Sequence, residues 1–210
     1  MAGRYFRNAS FPNVSKIKRN GFDSGGGIAS YWGVLDIPNV EVIEANAFQN
    51  CWIETLDLPK LKKVESYAFQ TAYNTKTIIV PNLDDISKSS IFSGCSNLLQ
   101  LALPAIIGKC GMMVIYNCQK LTKVDFGAGL TTIENYNFQY CDKLETIILR
   151  SNSVVSLTNS LASSTSIYKK ISYIYVPAAV IEEYKVAANW APYAEQFRAI
   201  EDYPDICGEA

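Results

Sequence analysis

A frame of apolar residues recurs along most of this chain at intervals of just over twenty residues. IPNVEVIEANAF (37–48) and LPKLKKVESYAF (58–69) align position for position, and a longer version follows at FGAGLTTIENYNF (126–138). Successive anchors of the frame lie 21, 22, 23, 23 and 23 residues apart: Ile37, Leu58, Val80, Leu103, Phe126 and Leu149. Such a period is typical of solenoids, in which every turn buries its apolar side against its neighbours. The sequence therefore predicts a repeat solenoid.

Each turn contains one short segment with the pattern of a half-buried strand. LLQLAL (98–103), LTKVDF (121–126) and LETIIL (144–149) have apolar residues at their first, fourth and sixth positions. The alternation at the end places Leu101, Val124 and Ile147 inward. A period of 20–29 residues with an L-x-x-L-x-L core belongs to leucine-rich repeats. We expect a right-handed coil of about six to seven turns, with a parallel β-sheet of short strands joined by irregular or short helical turns.

Four of the six cysteines occupy one position of the repeat, three residues after the aromatic or apolar anchor of the turn: Cys51, Cys95, Cys118 and Cys141. Ala72 holds that position in the second of these turns. Stacked strands keep equivalent atoms about 4.7–4.9 Å apart, whereas zinc needs ligands converging at about 2.3 Å. A position that accepts Ala or Cys is predicted to need a small core filler, so we expect no metal and no cofactor.

The other two cysteines differ from this set. Cys110 falls in a second inward position, which Ile133 holds one repeat later. Cys207 lies in the acidic tail EDYPDICGEA and is predicted to be exposed.

Composition excludes several classes of function. The chain has 19 basic residues, 20 acidic residues and no histidine. Histidine-based catalysis and Cys/His zinc sites are therefore ruled out, and nothing predicts binding to nucleic acid. No apolar run is long enough for a membrane helix, and the N-terminus lacks the apolar core of a secretory signal, so no membrane insertion is expected.

These residues resemble the BspA-type leucine-rich repeat family, whose consensus runs F-x-x-C-x-x-L-x-x-I-x-L-P-x-x-V-x-x-I-x-x-x-A-F. AFQNC, AFQTA, FSGCSNLLQLALP and FQYCDKLETIIL carry the resemblance, which covers about residues 9–150 as repeats. The segment 174–202 is similar to the terminal unit of many such proteins from gut anaerobes and prophages. The resemblance implies a solenoid used in surface adhesion or host contact, and it implies no catalytic residue.

Two segments depart from the period. An irregular loop is predicted at 23–33 and a looser coil at 150–170, within a solenoid domain of residues 1–177. Residues 178–210 are predicted to form a helical C-terminal cap and acidic tail. Apolar residues at helical spacing line one side of this cap: Val180, Ile181, Tyr184, Ala187, Ala188 and Trp190. A second short helical turn is predicted from Pro192 through Phe197.

Six outward residues of the predicted sheet are candidates for partner contact: Asp36, Asp57, Asp125, Ile148, Tyr173 and Tyr175. The carboxylates share one position of the repeat, and the tyrosines lie on the final strand beside Ile148. Exposed Tyr and Ile anchor partners well. Alternatively, the cap or a neighbouring coil covers them.

Four further aromatic residues are predicted to lie in the turns beside the cysteine position: Trp52, Tyr73, Tyr116 and Tyr140. They would serve carbohydrate stacking only if several of their rings share one face.

The sequence favours a non-catalytic module that presents a rigid repeat surface to a host or bacterial partner, with a protein or glycan ligand and an undefined oligomeric state. An accessory or structural component of a phage particle is the alternative, and a carboxylate-based hydrolase is less favoured because a flat sheet offers no enclosing pocket. We expect a cell-surface or secreted protein if an export signal precedes this sequence. Otherwise it would be cytoplasmic or phage-associated.

Overall fold

The computed structural model describes residues 5–6, 8–23, 31–32, 34–162 and 164–208. Most of the irregular loop predicted at 23–33, including Gly25–27, lies outside these residues. Over the described part, the chain is a solenoid of short parallel strands, which confirms the predicted fold class.

The main row of strands contributes one strand per turn, and we call it the main sheet. Its nine strands are Ala9–Ser10, Leu35–Asp36, Thr55–Asp57, Thr77–Ile79, Gln100–Leu103, Lys123–Phe126, Thr146–Leu149, Tyr173–Val176 and Phe197–Ala199. Pairing divides them into groups of two, two and five strands, all parallel. Nine successive strands define eight turns, more than the six to seven predicted from the sequence. The additional turns lie at the two ends of this row of strands, where the spacing between strands is irregular.

Strands of two other rows occur in part of the turns. The longer row holds Lys16–Ile17, Val42–Ile43, Lys63–Val64, Ile107–Cys110, Gly129–Ile133 and Ser156–Leu157. A third row holds Tyr5–Phe6, Tyr31–Trp32 and Trp52–Ile53. In the longer row Cys110 pairs with Ile133, as the repeat predicts.

The register of the main sheet places equivalent residues side by side. Leu101 pairs with Val124 and Val124 with Ile147, and all three are buried. The anchors from Ile37 to Leu149 are also at most 1% exposed. Burying this continuous apolar column against both neighbours is what fixes the repeat length, because a slip of one residue would turn it toward water.

The turn opposite the main sheet uses left-handed backbone at two positions, four residues apart, in each of five successive repeats. The pairs are Asn46 and Asn50, Tyr67 and Thr71, Ser90 and Gly94, Met113 and Asn117, and Tyr136 and Tyr140, with φ between 53° and 75°. Asn and Gly tolerate this conformation, whereas Tyr, Met and Thr adopt it at a cost. A backbone ladder to the next turn offsets that cost; the Thr71 N–H, for example, donates to Ser93 O at 2.7 Å.

The interior contains an aromatic stack beside the cysteine column. The rings of Phe22, Phe48, Phe69 and Phe92 lie nearly parallel, with successive centroids 5.0, 5.5 and 5.4 Å apart. The four column cysteines are free and at most 1% exposed, as expected for core fillers.

The cysteine thiols also donate, a role that the sequence pattern did not reveal. The thiols of Cys95 and Cys118 each donate to a backbone carbonyl of the preceding turn, at 3.2 Å. Burial raises the pKa of Cys51 to about 12, and it also raises the pKa of Cys95. The neighbouring Cys141 thiol, together with burial, raises the pKa of Cys118. These thiols therefore stay protonated at neutral pH.

The C-terminal segment is less helical than predicted. It contains the α-helices Ile181–Val186 and Pro204–Cys207 and the 3-10 helices Ala178–Val180, Ala191–Gln196 and Ile200–Asp202. Phe197, predicted to end a helical turn, instead begins the last strand and pairs with Ile174. Tyr184 and Trp190 are buried as predicted, but Ala188 is exposed because the helix ends at Val186. The division of the chain at residue 177 stays a prediction.

Side chains of this segment fasten the irregular coil 150–170 through its backbone. The Trp190 Nε1–H donates to Val155 O at 2.7 Å, and the Val155 N–H donates to the Tyr184 hydroxyl at 2.9 Å. The Gln196 amide donates to Ile167 O and Ser172 O. Polar bonds thus replace the strand pairing that this coil largely lacks.

In the described part of the chain, no helix has the length and apolar character needed to cross a membrane.

Candidate functional site

Two columns of outward side chains run along the main sheet, and together we call them the outer sheet face. One column contains Thr55 and Thr77 and continues through Gln100, Lys123, Thr146 and Tyr173. The other contains Asp57 and Ile79 and continues through Ala102, Asp125, Ile148, Tyr175 and Arg198. Because side chains alternate along a strand, these columns are the sheet surface available to a partner.

The first part of this face is uncovered, and we call it the open half. Eight outward residues along the strands from Leu35–Asp36 to Gln100–Leu103 are exposed: Val34, Asp36, Thr55, Asp57, Thr77, Ile79, Gln100 and Ala102. The apolar members include Val34 at 55% and Ile79 at 43% exposure. Two of the six predicted contact residues, Asp36 and Asp57, therefore lie where a partner can reach them.

A shallow groove of about 350 Å³ lies between these two carboxylates. Pro38 and Pro59 form part of its wall, beside Val34 and Thr55. Asp36 accepts a hydrogen bond from the Ser10 hydroxyl at 2.6 Å.

The rest of the outer sheet face, from Lys123 to Arg198, is the covered half. The chain's own residues 200–208, which we call the tail, fold back over it. Ile148, Tyr175, Ile200 and Cys207 form a small buried cluster with Tyr203 packed against it, and the Tyr175 and Tyr203 rings meet edge-on at 5.4 Å.

The tail corrects three sequence predictions. Ile148 and Tyr175 are 0% and 3% exposed, so they are not partner-facing; the alternative, that they are covered, is correct. Cys207 was predicted to be exposed, and it is only 3% exposed. The physical reason is that the apolar residues of the tail bury themselves on the apolar outward residues of the late strands.

Polar groups hold the tail at its far end. Arg150 pairs with Asp125 through two hydrogen bonds of 2.9 Å and also donates to Cys207 O. Lys123 donates to Ile206 O. The Asp125 carboxylate raises the pKa of Arg150. Asp125, predicted to face a partner, is thus engaged inside the chain, and Arg150 and Lys123 are contributors that the sequence analysis missed.

Tyr173 is the remaining predicted contact residue. It is 43% exposed, and the Arg198 guanidinium lies 4.2 Å from its ring centroid. Its role in partner contact stays a prediction.

Among the turn aromatics, one pair of rings is in contact. Tyr116 and Tyr140 meet edge-on at 5.4 Å, whereas Trp52 lies in the strand Trp52–Ile53 rather than in a turn. Tyr73 is 45% exposed. Among the described residues, no group of three or more Cys, Asp or Glu side chains could hold a metal ion.

The parallel strands, the 21–23-residue period and the buried Phe and Cys columns define this chain as a leucine-rich repeat protein. The model of the BspA type leucine-rich repeat region matches it in six copies, over residues 15–145 and 62–184. The chain belongs to this family.

Individual proteins match this chain more weakly than the family does. A crystal structure of a leucine rich cell surface protein from Faecalibacterium prausnitzii A2-165 aligns at 16% identity with a TM-score of 0.32. The alignment covers 79% of this chain and 62% of that one, so this chain spans less than two thirds of its length. No curated protein matches the sequence significantly.

Proposed function

We propose that this protein is a non-catalytic binding module of the adhesion type, which presents the open half of its outer sheet face to a polypeptide of a host or another bacterium. The observation that carries the proposal is the contrast in exposure along one row of parallel strands. The outward residues named for the open half are exposed, whereas residues of the same columns are buried or engaged where the tail lies on them.

The tail supports a polypeptide rather than a glycan as the ligand. It is itself a peptide segment lying on the outer sheet face, held by apolar contacts and by bonds to backbone carbonyls. Rigidity supports the binding role as well, since a stacked solenoid presents its surface at little cost in conformational entropy. The same function is consistent with placement at the cell surface or in the secreted fraction.

Binding rather than hydrolysis is supported by the form of the groove between Asp36 and Asp57. Both carboxylates are exposed to solvent, whereas a hydrolytic site needs an enclosed cleft that excludes water.

The test is a screen of immobilised host and bacterial polypeptides and glycans with the purified chain, followed by affinity measurement on each ligand found. Thr77→Arg places a long charged side chain in the centre of the open half. Thr131→Arg is the matched control, because Thr131 is an exposed strand threonine outside the main sheet. We expect the first variant to weaken binding at least about tenfold, or about 1.4 kcal/mol, and the control to bind like the wild type.

Ligands that are glycans only, or equal loss in both variants, would overturn the proposal. Thermal unfolding of both variants verifies that each remains folded.

A further inference from the structure

The tail shows what chemistry the outer sheet face uses to hold a peptide. The covered half offers apolar side chains, Ile148 and Tyr175, next to cations, Lys123 and Arg150. The segment that fits this half, IEDYPDICG, brings apolar residues and acidic ones. Its backbone carbonyls accept hydrogen bonds from both cations. The occupant therefore matches its half of the face in apolar contacts and in the hydrogen bonds that its carbonyl groups accept from the two cations.

The open half continues the same two columns with the opposite charge. Its outward residues include two carboxylates, Asp36 and Asp57, and no Lys or Arg. Neither carboxylate forms a salt bridge in the described part of the chain. Of the lysines that flank these residues, Lys76 pairs with Glu54 at 2.8 Å, and Lys60 keeps its charge while it donates to the Asn39 side chain at 2.6 Å. The outward residues of the open half therefore carry two negative charges and no positive one.

Apolar groups accompany the charge here as they do under the tail. Val34 and Ile79 are exposed at positions of the two columns, and Pro38 and Pro59 border the groove between the carboxylates. A long basic side chain suits such a groove, because its methylene stem can pack on the proline rings while its charged end meets the carboxylates.

We infer that the open half binds a polypeptide segment in which Lys or Arg residues alternate with apolar residues, in continuity with the surface that the tail already occupies. This inference rests on the proposed function and specifies the partner's chemistry. The basic residue enters the groove between Asp36 and Asp57, and the apolar residues pack on Val34 and Ile79.

The experiment uses two synthetic peptides of equal length, one alternating Lys with Val and the other alternating Glu with Val. Their binding to the full chain is measured by fluorescence anisotropy at low salt and at physiological salt. We expect the Lys peptide to bind, the Glu peptide not to bind, and affinity to fall with salt.

The decisive variant is Asp36→Asn/Asp57→Asn. Its matched control is Asp84→Asn/Asp142→Asn, which changes the net charge equally at exposed carboxylates outside the outer sheet face. We expect the first variant to bind the Lys peptide about three- to tenfold more weakly, as for two exposed charge pairs, and the control to bind it unchanged.

Any of three peptide-binding results overturns the inference: no binding of the Lys peptide, equal binding of the Glu peptide, or equal weakening by both double variants. Concentration-dependent self-association in sedimentation, lost in Asp36→Asn/Asp57→Asn, also overturns it, since the occupant would then be a second copy. Its failure is distinguishable from that of the proposed function, because a Thr77-sensitive ligand without basic residues would refute only the charge requirement.

Discussion

The open and covered halves of the outer sheet face have the same backbone and differ in what lies on them. In the open half Ile79 is 43% exposed, whereas Ile148, in the same column, is completely buried. The difference does not arise from the strands, which are parallel in both halves and place Ile79 and Ile148 at the same outward position of the repeat. It arises from a tail of nine residues that returns to the late strands only. A repeat solenoid thus forms the same kind of surface in every turn. A short non-repeating segment determines which part of that surface a partner can reach.

The core beneath each of the two halves is expected to contribute equally to the free energy of unfolding. Phe69, in a turn of the open half, and Phe138, in a turn of the covered half, are both 0% exposed. Phe69→Ala and Phe138→Ala should each lower the free energy of unfolding by about 3–5 kcal/mol, since each leaves a cavity in a close-packed interior. Urea titration followed by circular dichroism measures the loss. A loss under about 1 kcal/mol for Phe138→Ala would contradict a common frame for both halves.

On the outer sheet face, matched substitutions in the two halves should lower the free energy of unfolding by very different amounts. Tyr175→Ala removes a ring that packs on Tyr203 and Cys207, and we expect it to cost about 3 kcal/mol. Ile79→Ala, the matched change in the open half, should cost less than about 1 kcal/mol because the side chain is already in water. Equal costs in the same titration would mean that the tail does not cover Tyr175 in solution.

The ion pair beneath the tail should contribute more to the free energy of unfolding than a solvent-exposed ion pair. Arg150→Gln removes the paired bonds to Asp125 and the bond to Cys207 O, and we expect a loss of about 1–2 kcal/mol. Lys76→Gln breaks an exposed pair with Glu54 and should change stability by less than about 0.5 kcal/mol. Hydrogen exchange at the Cys207 amide, which donates to Tyr203 O, should accelerate in Arg150→Gln alone.

The smallest expected effect is the response of the tail to alkali. Burial raises the pKa of Cys207 and of Tyr175 above their ordinary values of 9.0 and 10.0. Folding therefore favours the neutral forms: their stabilisation is complete below about pH 9 and declines as the pH rises toward the raised values. The Cys207→Ala/Tyr175→Phe variant should lose less stability between pH 8 and pH 11 than the wild type. An equal loss would place the alkaline effect elsewhere.

Much of the fold could be predicted because burial repeats with the chain. Leu101, Val124 and Ile147 were predicted inward from their spacing, and the cysteine column was predicted to fill the core; both predictions are confirmed. The last strand was missed because its alternation spans only Phe197, Arg198 and Ala199, and it is recognised only from its pairing with the strand Tyr173–Val176. Left-handed residues such as Tyr67 and Thr71 carry no sequence signal either, since their side chains disfavour that conformation.

The candidate site was predictable only in part. The outward positions followed from strand alternation, so Asp36 and Asp57 were found. The burial of Ile148 and Tyr175 under the tail could not be predicted from strand alternation. It depends on contacts between distant residues such as Lys123 and Ile206, which are 83 positions apart.

The sequence by itself determined the solenoid, its period and the side of each strand that faces the core, because those follow from local spacing of apolar residues. Only the tertiary structure decided where the tail lies, which half of the outer sheet face stays open and which charges remain unpaired there. Those outcomes depend on contacts between distant parts of the chain, and a local sequence pattern does not predict such contacts.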